Sequence, residues 1–261
     1  MTTTTALTDT ELRQRAQHMR ANVLRMGASE AGAHVGGSLS CVDILAVLYM
    51  DVLRSADWFI LSKGHASAAL YAVLAECGWI EEEELDTYAV AGGRLGGHPS
   101  IAVPGVEIGT GSLGHGLSVA AGMALGARWD RGDQRTFALL GDGELQEGSV
   151  WEAAMFAGQH RLGGLTAIVD RNGWQLSART EGLEPLADRF RAFGWSCVEV
   201  DGHDVTALRT ILATSDDRPR VVIAHTVKGR GVGFLEDKVS SHYARLSPAM
   251  LTRATRALER S

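Results

Sequence analysis

Cysteine is scarce in this sequence. Its three copies, Cys41, Cys77 and Cys197, are scattered and form no CxxC pair. Disulfide frameworks and zinc sites need cysteines at short, regular spacings, so this distribution argues against both. Isolated cysteines are typical of small core residues in a reducing compartment. The fold is therefore expected to depend on a hydrophobic core, and 261 residues at 45% hydrophobic content are enough for one.

Basic blocks, long apolar runs and targeting signals are also missing. The formal net charge is -6, and without a basic block a nucleic-acid surface is not expected. No apolar run approaches the length of a membrane-spanning helix. The opening residues, MTTTTALTDTELRQR, contain no apolar signal core, and their acids argue against a transit peptide. We therefore expect a cytoplasmic protein with no nucleic-acid or membrane partner.

Strand and helix patterns alternate along the chain. Short, mostly apolar segments predict strands at 58–61, 136–140, 165–169 and 220–224, and a further strand is predicted at 198–200. Helices are predicted at 42–53, 66–77, 117–129 and 148–161, after a first helix capped by Thr8 and before a last one that starts at Pro248. Glycine-rich loops are predicted at 28–40 and 92–116. This alternation predicts an α/β fold, a mostly parallel sheet with helices on both faces. No linker divides the chain, so residues 1–261 are predicted to form a single domain.

An acid held between two glycines follows the strand at 136–140. Asp142 stands there in GDGELQEGSVWEA, and Asn172 follows the next strand in the sequence VDRNG. Ligands of parallel sheets bind beyond the carboxyl ends of the strands, so the two side chains are expected to meet there. Both offer the oxygen ligands that Mg²⁺ prefers beside phosphates, and glycine lets the backbone approach an anion. The pattern predicts a magnesium diphosphate site.

Other phosphate motifs fit less well. Gly109 to Gly114 matches G-x-G-x-x-G, but Pro104 and only a few further residues precede it, which leaves little room for the strand that a dinucleotide fingerprint needs. No GxxxxGK[ST] loop is present, so a nucleoside triphosphatase is not expected. A nicotinamide dehydrogenase depends on that weak match alone.

Taken together, these motifs resemble the transketolase form of the thiamine diphosphate motif, and the resemblance covers nearly the whole chain. Beyond GDGELQEGSVWEA and VDRNG, the segments that carry it are AGAHVGGSLS, DWFILSKGHASAALY, LGGHPS, GTGSLGHGLSVAAGMALGAR and HTVKGRGVGFLEDKVSSH. The resemblance implies a thiamine diphosphate-binding fold, specifically the diphosphate-binding domain, with thiamine diphosphate and Mg²⁺ (or Ca²⁺ or Mn²⁺) as cofactors.

The resemblance also implies roles for individual residues. The magnesium ligands are the side chains of Asp142 and Asn172 and the carbonyl of Trp174. The histidines of the substrate channel, which are the catalytic candidates, are His34, His65, His98 and His242. The cofactor contacts are Gly111, Ser112, Leu113, Gly143, Asn172 and Lys228, together with His65 and His242. Glu147 and Glu152 match acids at the subunit interface. His115 has no assigned role, since it could simply cap a helix. Imidazole suits proton transfer near neutral pH and also binds sugar hydroxyls.

A full-length transketolase continues with a pyrimidine-binding domain and a C-terminal domain, and the resemblance ends before them. We therefore expect the N-terminal subunit of a split transketolase, which transfers a two-carbon ketol unit between a ketose (phosphate) and an aldose (phosphate). It should be inactive without a C-terminal subunit that carries the pyrimidine-binding domain, in an assembly of two copies of each chain. The alternatives are another thiamine diphosphate enzyme, such as a 2-oxo acid dehydrogenase subunit or a pyruvate-condensing synthase, and a non-catalytic binding partner.

Three departures from the family pattern leave the donor and acceptor sugars open. Trp174 is bulkier than usual beside the metal, and Ser177 to Arg179 stand where an Asp-Gly pair is common. Tyr243 follows His242 where glycine is common. None of these departures removes a magnesium ligand.

Overall fold

A computed structural model describes residues 7–176, 178–180 and 182–260. The helices are α1 (Asp9–Gly27), α2 (Val35–Ser40), α3 (Val42–Val47), α4 (Ser67–Glu76), α5 (Gly116–Trp129), α6 (Gly148–Gln159), α7 (Leu186–Ala192), α8 (Val205–Ala213) and α9 (Pro248–Leu258). The strands are β1 (Trp58–Leu61), β2 (Thr136–Gly141), β3 (Leu165–Arg171), β4 (Trp174–Gln175), β5 (Ala178–Arg179), β6 (Ser196–Asp201) and β7 (Arg220–His225). Thr8 and Glu11 form the predicted capping box, and Pro248 lies at the start of α9 as predicted.

Five strands form one parallel sheet in the order β1-β2-β3-β7-β6. Strands β2 and β3 are neighbours in register, with Leu140 opposite Val169 and Gly141 opposite Asp170. Since β2 and β3 are parallel, their carboxyl ends lie on the same side of the sheet, and this side carries the candidate site. The predicted parallel sheet is confirmed.

Helices cover both faces of this sheet. Along β2, Phe137 and Leu139 belong to the core that α1, α3 and α4 help to form, whereas Ala138 and Leu140 belong to the core on the side of α5 and α6. Successive side chains of a strand point to opposite faces, so a strand buried on both faces has apolar residues at every position. The prediction of helices on both faces is confirmed, and burial on both faces explains why β2 is largely apolar.

Some elements differ from those predicted from the sequence pattern. The predicted loop at 28–40 contains α2, a buried helix with the sequence VGGSLS, because tertiary packing overrides its low helix propensity. The helix predicted at 42–53 changes to π-helix at Leu48–Val52. Helices α7 and α8 and the β4–β5 hairpin were not predicted. Ser177, one of the departures from the family pattern, lies outside the described residues.

No helix in the described part of the chain is long and apolar enough to cross a membrane.

Candidate active site

The loops after β2 and β3 meet at the edge of the sheet. Asp142 accepts hydrogen bonds from the backbone of Gly143 at 2.9 Å and of Gly173 at 2.6 Å. The Oδ1 atom of Asn172 accepts from the backbone of Trp174 at 3.0 Å. The carbonyl oxygen of Trp174 lies 3.6 Å from the position that a Cβ on Gly143 would take. The structure therefore brings the three predicted metal ligands to one place around Gly143.

The carboxylate of Asp142 is almost fully buried, at 1% exposure. Burial raises its pKa, and the nearby charge of Asp170 adds to this effect, whereas hydrogen bonds from Gly173 and Arg171 oppose it. Arg171 donates to Oδ2 at 3.0 Å. Oδ1 accepts only from Gly143 among the described residues, so it retains a lone pair for a further cation. The site favours a positive charge beside Asp142.

A cavity of about 610 Å³ opens next to these ligands. Its lining includes most of the predicted site residues, namely His34, His65, Gly111, Leu113, Asp142, Gly143, Glu147, Asn172, Trp174, Lys228 and His242. Ser112, His98 and Glu152 do not line it, and all three are exposed. Its volume lies in the range of cofactor pockets. Most of the predicted residues therefore converge on one ligand-sized space.

Four histidines from distant parts of the chain form one cluster, which we call the histidine cluster: His34, His65, His98 and His242. The ring of His34 lies at its centre, with centroids 5.4 Å from His65, 6.0 Å from His98 and 5.3 Å from His242. Its Nδ1 atom is buried and makes no hydrogen bond with any described residue. Although His98 does not line the cavity, it joins the cluster through His34.

Three histidines of the cluster, His34, His65 and His242, have lowered pKa values that favour the neutral imidazole. Burial, followed by the like charges of His242, His98 and Lys63, lowers the pKa of His34 to about 4. Burial and then Lys63 place the pKa of His65 well below its usual value. Burial also lowers the pKa of His242. Neutral imidazole can accept a proton from a hydroxyl group and pass it on, whereas imidazolium has no free lone pair to accept one.

Lys228 places a buried ammonium group at the cavity. The residue is 2% exposed, and its Nζ makes no hydrogen bond with any described residue. Burial and the like charge of Lys63 lower its pKa to about 8. A buried ammonium without an acceptor is costly, and an anion in the cavity would supply one. This arrangement agrees with the predicted cofactor contact at Lys228.

A buried ion network at the cavity was not predicted from the sequence. We call it the Asp170 network: Asp170 accepts hydrogen bonds from Lys63, Ser40 and Thr226. Burial raises the pKa of Asp170, but the charge of Lys63 and these hydrogen bonds outweigh burial, so the pKa is lowered. Burial likewise disfavours the Lys63 ammonium, and the charge of Asp170 outweighs it, so the pKa of Lys63 is raised. The sequence signal that could have identified Lys63 and Asp170 is their position at the ends of strands, in SKGH and VDRNG.

Glu144 was also missed, although it stands in GDGE. It is 1% exposed and accepts hydrogen bonds from Ser62, from the backbone of Gly114 at 3.0 Å and from that of Gly141 at 3.1 Å. One carboxylate thus joins three loops that surround the cavity. Burial raises its pKa, against the effect of these bonds. Glu144 therefore supports these loops, and it also lines the cavity.

The weaker motifs have structural explanations. The G-x-G-x-x-G segment lies in a loop with no strand directly before it, so it is not a dinucleotide fingerprint. His115 is the exposed N-cap residue of α5 and makes no side-chain capping bond. Within the described ranges, no group of three or more His, Cys, Asp or Glu side chains could hold a metal. The predicted metal set, which contains one carboxylate, is of a different kind.

Comparison with known families decides between the alternatives. The family model described as "Transketolase, thiamine diphosphate binding domain" matches residues 13–258. The chain belongs to the transketolase family.

Transketolase subunits are among the similar proteins. One of them, from the apulose-4-phosphate transketolase of Phocaeicola vulgatus, is 44% identical over 80% of this chain and 80% of its own length. The 6-deoxy-6-sulfo-D-fructose transketolase subunit SqwG of a Clostridium species is 39% identical over 94% of this chain and 96% of its own length. These matches confirm the predicted family. They also confirm the predicted function as the N-terminal component of a split transketolase, which is part of a transferase.

Full-length transketolases match over part of their length. The human enzyme is 38% identical over 88% of this chain, which corresponds to 39% of the human chain. The solved structure of Campylobacter jejuni transketolase superposes with a TM-score of 0.90 at 30% identity, covering 97% of this chain and 43% of that one. The chain thus spans less than half of the solved transketolase, and the thiamine diphosphate-binding fold is confirmed.

Proposed function

We propose that this chain holds the diphosphate end of thiamine diphosphate through Mg²⁺ (or Ca²⁺ or Mn²⁺) in a two-chain transketolase. The observation that carries the proposal is the convergence of two opposite features on one cavity. The oxygen ligands of Asp142, Asn172 and Trp174 suit a divalent cation. The unpartnered ammonium of Lys228 suits an anion. A metal diphosphate satisfies both features at once.

The residues present fit this group. A cation beside Asp142 offsets the cost of keeping its carboxylate charged while buried. Glycine at 143 allows the loop after β2 to pack closely against Gln175, since a Cβ at 143 would lie 2.7 Å from the Cβ of Gln175. Gly111, with Ser112 and Leu113, contributes a loop whose members Gly111 and Leu113 line the cavity. These residues would hold the cofactor together with Lys228.

Bound thiamine diphosphate would supply the electron sink that carbon–carbon cleavage beside a carbonyl requires. The chain itself positions the sugar and moves protons. Neutral imidazoles of His34, His65 and His242 would accept a hydroxyl proton and return it, while His98 at the exposed side would orient sugar hydroxyls. The packed rings would also limit the water that reaches the reacting atoms.

We propose further that residues 1–261 form one thiamine diphosphate-binding domain and that a C-terminal subunit supplies the pyrimidine-binding domain. Its support is that the subunit relatives match over most of their own length, whereas the human enzyme matches over 39% of its chain. Two copies of each chain, with the exposed acids Glu147 and Glu152 at the interface, complete the proposal. The assembly would be cytoplasmic.

The substrates would be a ketose (phosphate) donor and an aldose (phosphate) acceptor. The names of the two subunit relatives refer to apulose 4-phosphate and to a sulfofructose, which are unusual sugars. A donor with a branched or modified chain is therefore the first class to assay.

The test is a native mass spectrum of the tagged chain isolated with magnesium, followed by assays of the same material. We expect a two-chain assembly that contains thiamine diphosphate and transfers a ketol unit from donor to aldose acceptor. An assembly that decarboxylates pyruvate without ketol transfer would favour the 2-oxo acid enzymes. A reconstituted two-chain assembly that binds no thiamine diphosphate would contradict the proposal and favour a non-catalytic partner.

A further inference from the structure

One carboxylate outside the predicted site joins the two loops that flank the cavity. Asp237 accepts a hydrogen bond from the indole Nε1 of Trp174 at 2.6 Å through one oxygen. Its other oxygen accepts from Arg179 Nη2, also at 2.6 Å. Trp174 and Arg179 belong to β4 and β5, which pair with each other. Asp237 therefore fastens both strands of the hairpin that follows the metal loop.

The same carboxylate is tied to the segment of Lys228. The backbone N–H of Asp237 donates to the carbonyl of Lys228 at 2.9 Å. The residue adopts a left-handed backbone conformation with φ of 54°, which Asp and Asn tolerate better than most side chains. The turn from 228 to 237 is thus closed by a backbone bond and then bonded, through the side chain of Asp237, to the hairpin.

Trp174 brings the metal loop and Lys228 together. Its carbonyl is a proposed metal ligand, and its indole ring lies 5.2 Å from the Nζ of Lys228. The guanidinium of Arg179 lies 4.1 Å from the centroid of the same ring. Cations are attracted to the face of an indole at such distances. Moving the ring would therefore disturb the backbone ligand and the ammonium group at once.

We propose that Asp237, with Trp174 and Arg179, is a clasp that positions the metal loop and Lys228 for the cofactor diphosphate. Asp237 is a positioning residue in this proposal, because it acts through Trp174 and Lys228. The inference rests on the proposed function and adds a determinant of cofactor affinity to it. The clasp should alter cofactor binding and leave the chemical step largely unchanged.

The exposure of the clasp makes it testable without unfolding the chain. The side chains of Arg179 and Asp237 are 53% and 52% exposed, and ion pairs of this kind contribute little to global stability. Asp217 and Arg161 form a matched pair at 2.5 Å, with exposures of 72% and 65%, and neither residue lines the cavity. Asp217→Ala therefore controls for the loss of an exposed Asp–Arg pair.

The experiment uses the two-chain assembly and titrates thiamine diphosphate at fixed magnesium. Asp237→Ala should weaken cofactor binding about tenfold, because one charged acceptor of two hydrogen bonds is lost. Asp237→Asn keeps an acceptor for the indole and tolerates the backbone conformation, so about threefold is expected. Asp217→Ala should stay within about twofold. At saturating cofactor, kcat of all three variants should remain within about twofold of wild type.

Two further measurements separate positioning from a general structural effect. The difference in indole emission between the cofactor-free chain and its Trp174→Phe variant reports on Trp174, and Asp237→Ala should change that difference while Asp217→Ala should not. In a double-mutant cycle, Asp237→Ala should weaken binding less in a Lys228→Met background than alone, because both changes act on the same ammonium.

Unchanged cofactor affinity in Asp237→Ala, or a loss that is fully additive with Lys228→Met, would overturn the clasp while the proposed function stands. A wild-type assembly that fails to bind thiamine diphosphate would overturn both. Loss of affinity in Asp217→Ala equal to that in Asp237→Ala would also refute the clasp.

Discussion

The Asp170 network and the histidine cluster lie beside the same cavity, but they differ in whether their buried polar groups are hydrogen-bonded. In the network, the carboxylate of Asp170 accepts hydrogen bonds from Lys63, Ser40 and Thr226, and the ammonium of Lys63 also donates to the carbonyl of Gly37 at 2.8 Å. In the cluster, the buried Nδ1 of His34 makes no hydrogen bond with any described residue. Nearby Lys228 has the same property at its Nζ.

This difference distinguishes the polar groups that support the loops from those that can bind a ligand. Polar groups that satisfy one another gain little from a ligand, and they fix the loops to which they belong. Groups without partners remain available to bind a ligand, and their desolvation is a cost that ligand binding can relieve. The bonded network therefore supports the loops of the site, whereas the cluster and Lys228 keep polar atoms that a ligand can bind.

The largest effect should come from breaking the network. Asp170→Ala leaves the buried ammonium of Lys63 without its counter-charge, and removing one member of a buried ion pair costs about 3–5 kcal/mol. Chemical denaturation of the cofactor-free chain measures this as a loss in the free energy of unfolding. Asp86→Ala, which breaks an exposed pair with Arg25, should cost less than about 1 kcal/mol. Equal losses of unfolding free energy in the two variants would show that the Asp170 network stabilises the fold no more than an exposed ion pair does.

Replacing the proposed metal ligand Asp142 should weaken cofactor binding much more than folding. Asp142→Ala should weaken magnesium-dependent binding of thiamine diphosphate at least about hundredfold, because a hard cation loses its one charged ligand here. Calorimetric titration of the two-chain assembly measures this loss. Asp188→Ala, at an exposed position paired with Arg191, is the control and should bind normally. Normal binding by Asp142→Ala would remove the metal assignment.

The histidine cluster should separate binding from chemistry. His65→Ala and His98→Ala should largely retain cofactor binding, since the metal ligands and Lys228 remain. The ketol-transfer rate should fall about hundredfold in His65→Ala, because positioned proton transfer contributes at least about this much, and about tenfold in His98→Ala, because a group that orients sugar hydroxyls is lost. Steady-state rates at saturating cofactor measure the effect, with His18→Ala on the exposed side of α1 as the control. Rates equal to wild type would move these two histidines to a structural role.

The smallest effect is a pH dependence of stability. The pKa of His34 is about 4 in the folded chain, below its ordinary value of 6.5. Between those two values the unfolded chain binds a proton that the folded chain does not, so stability falls as the pH is lowered through this window. His34→Asn should reduce the loss between pH 7 and pH 5 by about 1 kcal/mol, allowing for solvent screening. Denaturation curves at both pH values test this, and an unchanged loss would contradict it.

Much of the scaffold could be predicted because its signals are local. Each strand of the five-stranded sheet was predicted from the sequence, four of them from apolar runs and β6 from Val198 and Val200 on either side of Glu199. The contact between the Asp142 and Asn172 loops followed from their places after neighbouring parallel strands. The helix α2 could not be predicted in this way, since its glycines and serines favour a loop until packing buries them.

The missed polar residues share a physical reason. Lys63 and Asp170 are separated by 107 positions, and Ser62 and Glu144 by 82. Asp237 and Trp174 are separated by 63. A side chain that bonds so far along the chain leaves no periodic signal near itself, and its charge alone is typical of a solvated surface residue. Only its position near the end of a strand or within a glycine-rich segment marked it.

The sequence by itself determined the alternation of strands and helices, the family, and the residues that stand at the ends of β2 and β3. All three follow from patterns within short stretches of sequence, together with the rule that neighbouring parallel strands end on the same side of a sheet. Tertiary structure alone decided which charges are satisfied and which remain open. The outcome depends on which groups the fold buries next to each other. Among the described residues, Lys63 lies beside the carboxylate of Asp170 and forms an ion pair, whereas the ammonium of Lys228 makes no hydrogen bond.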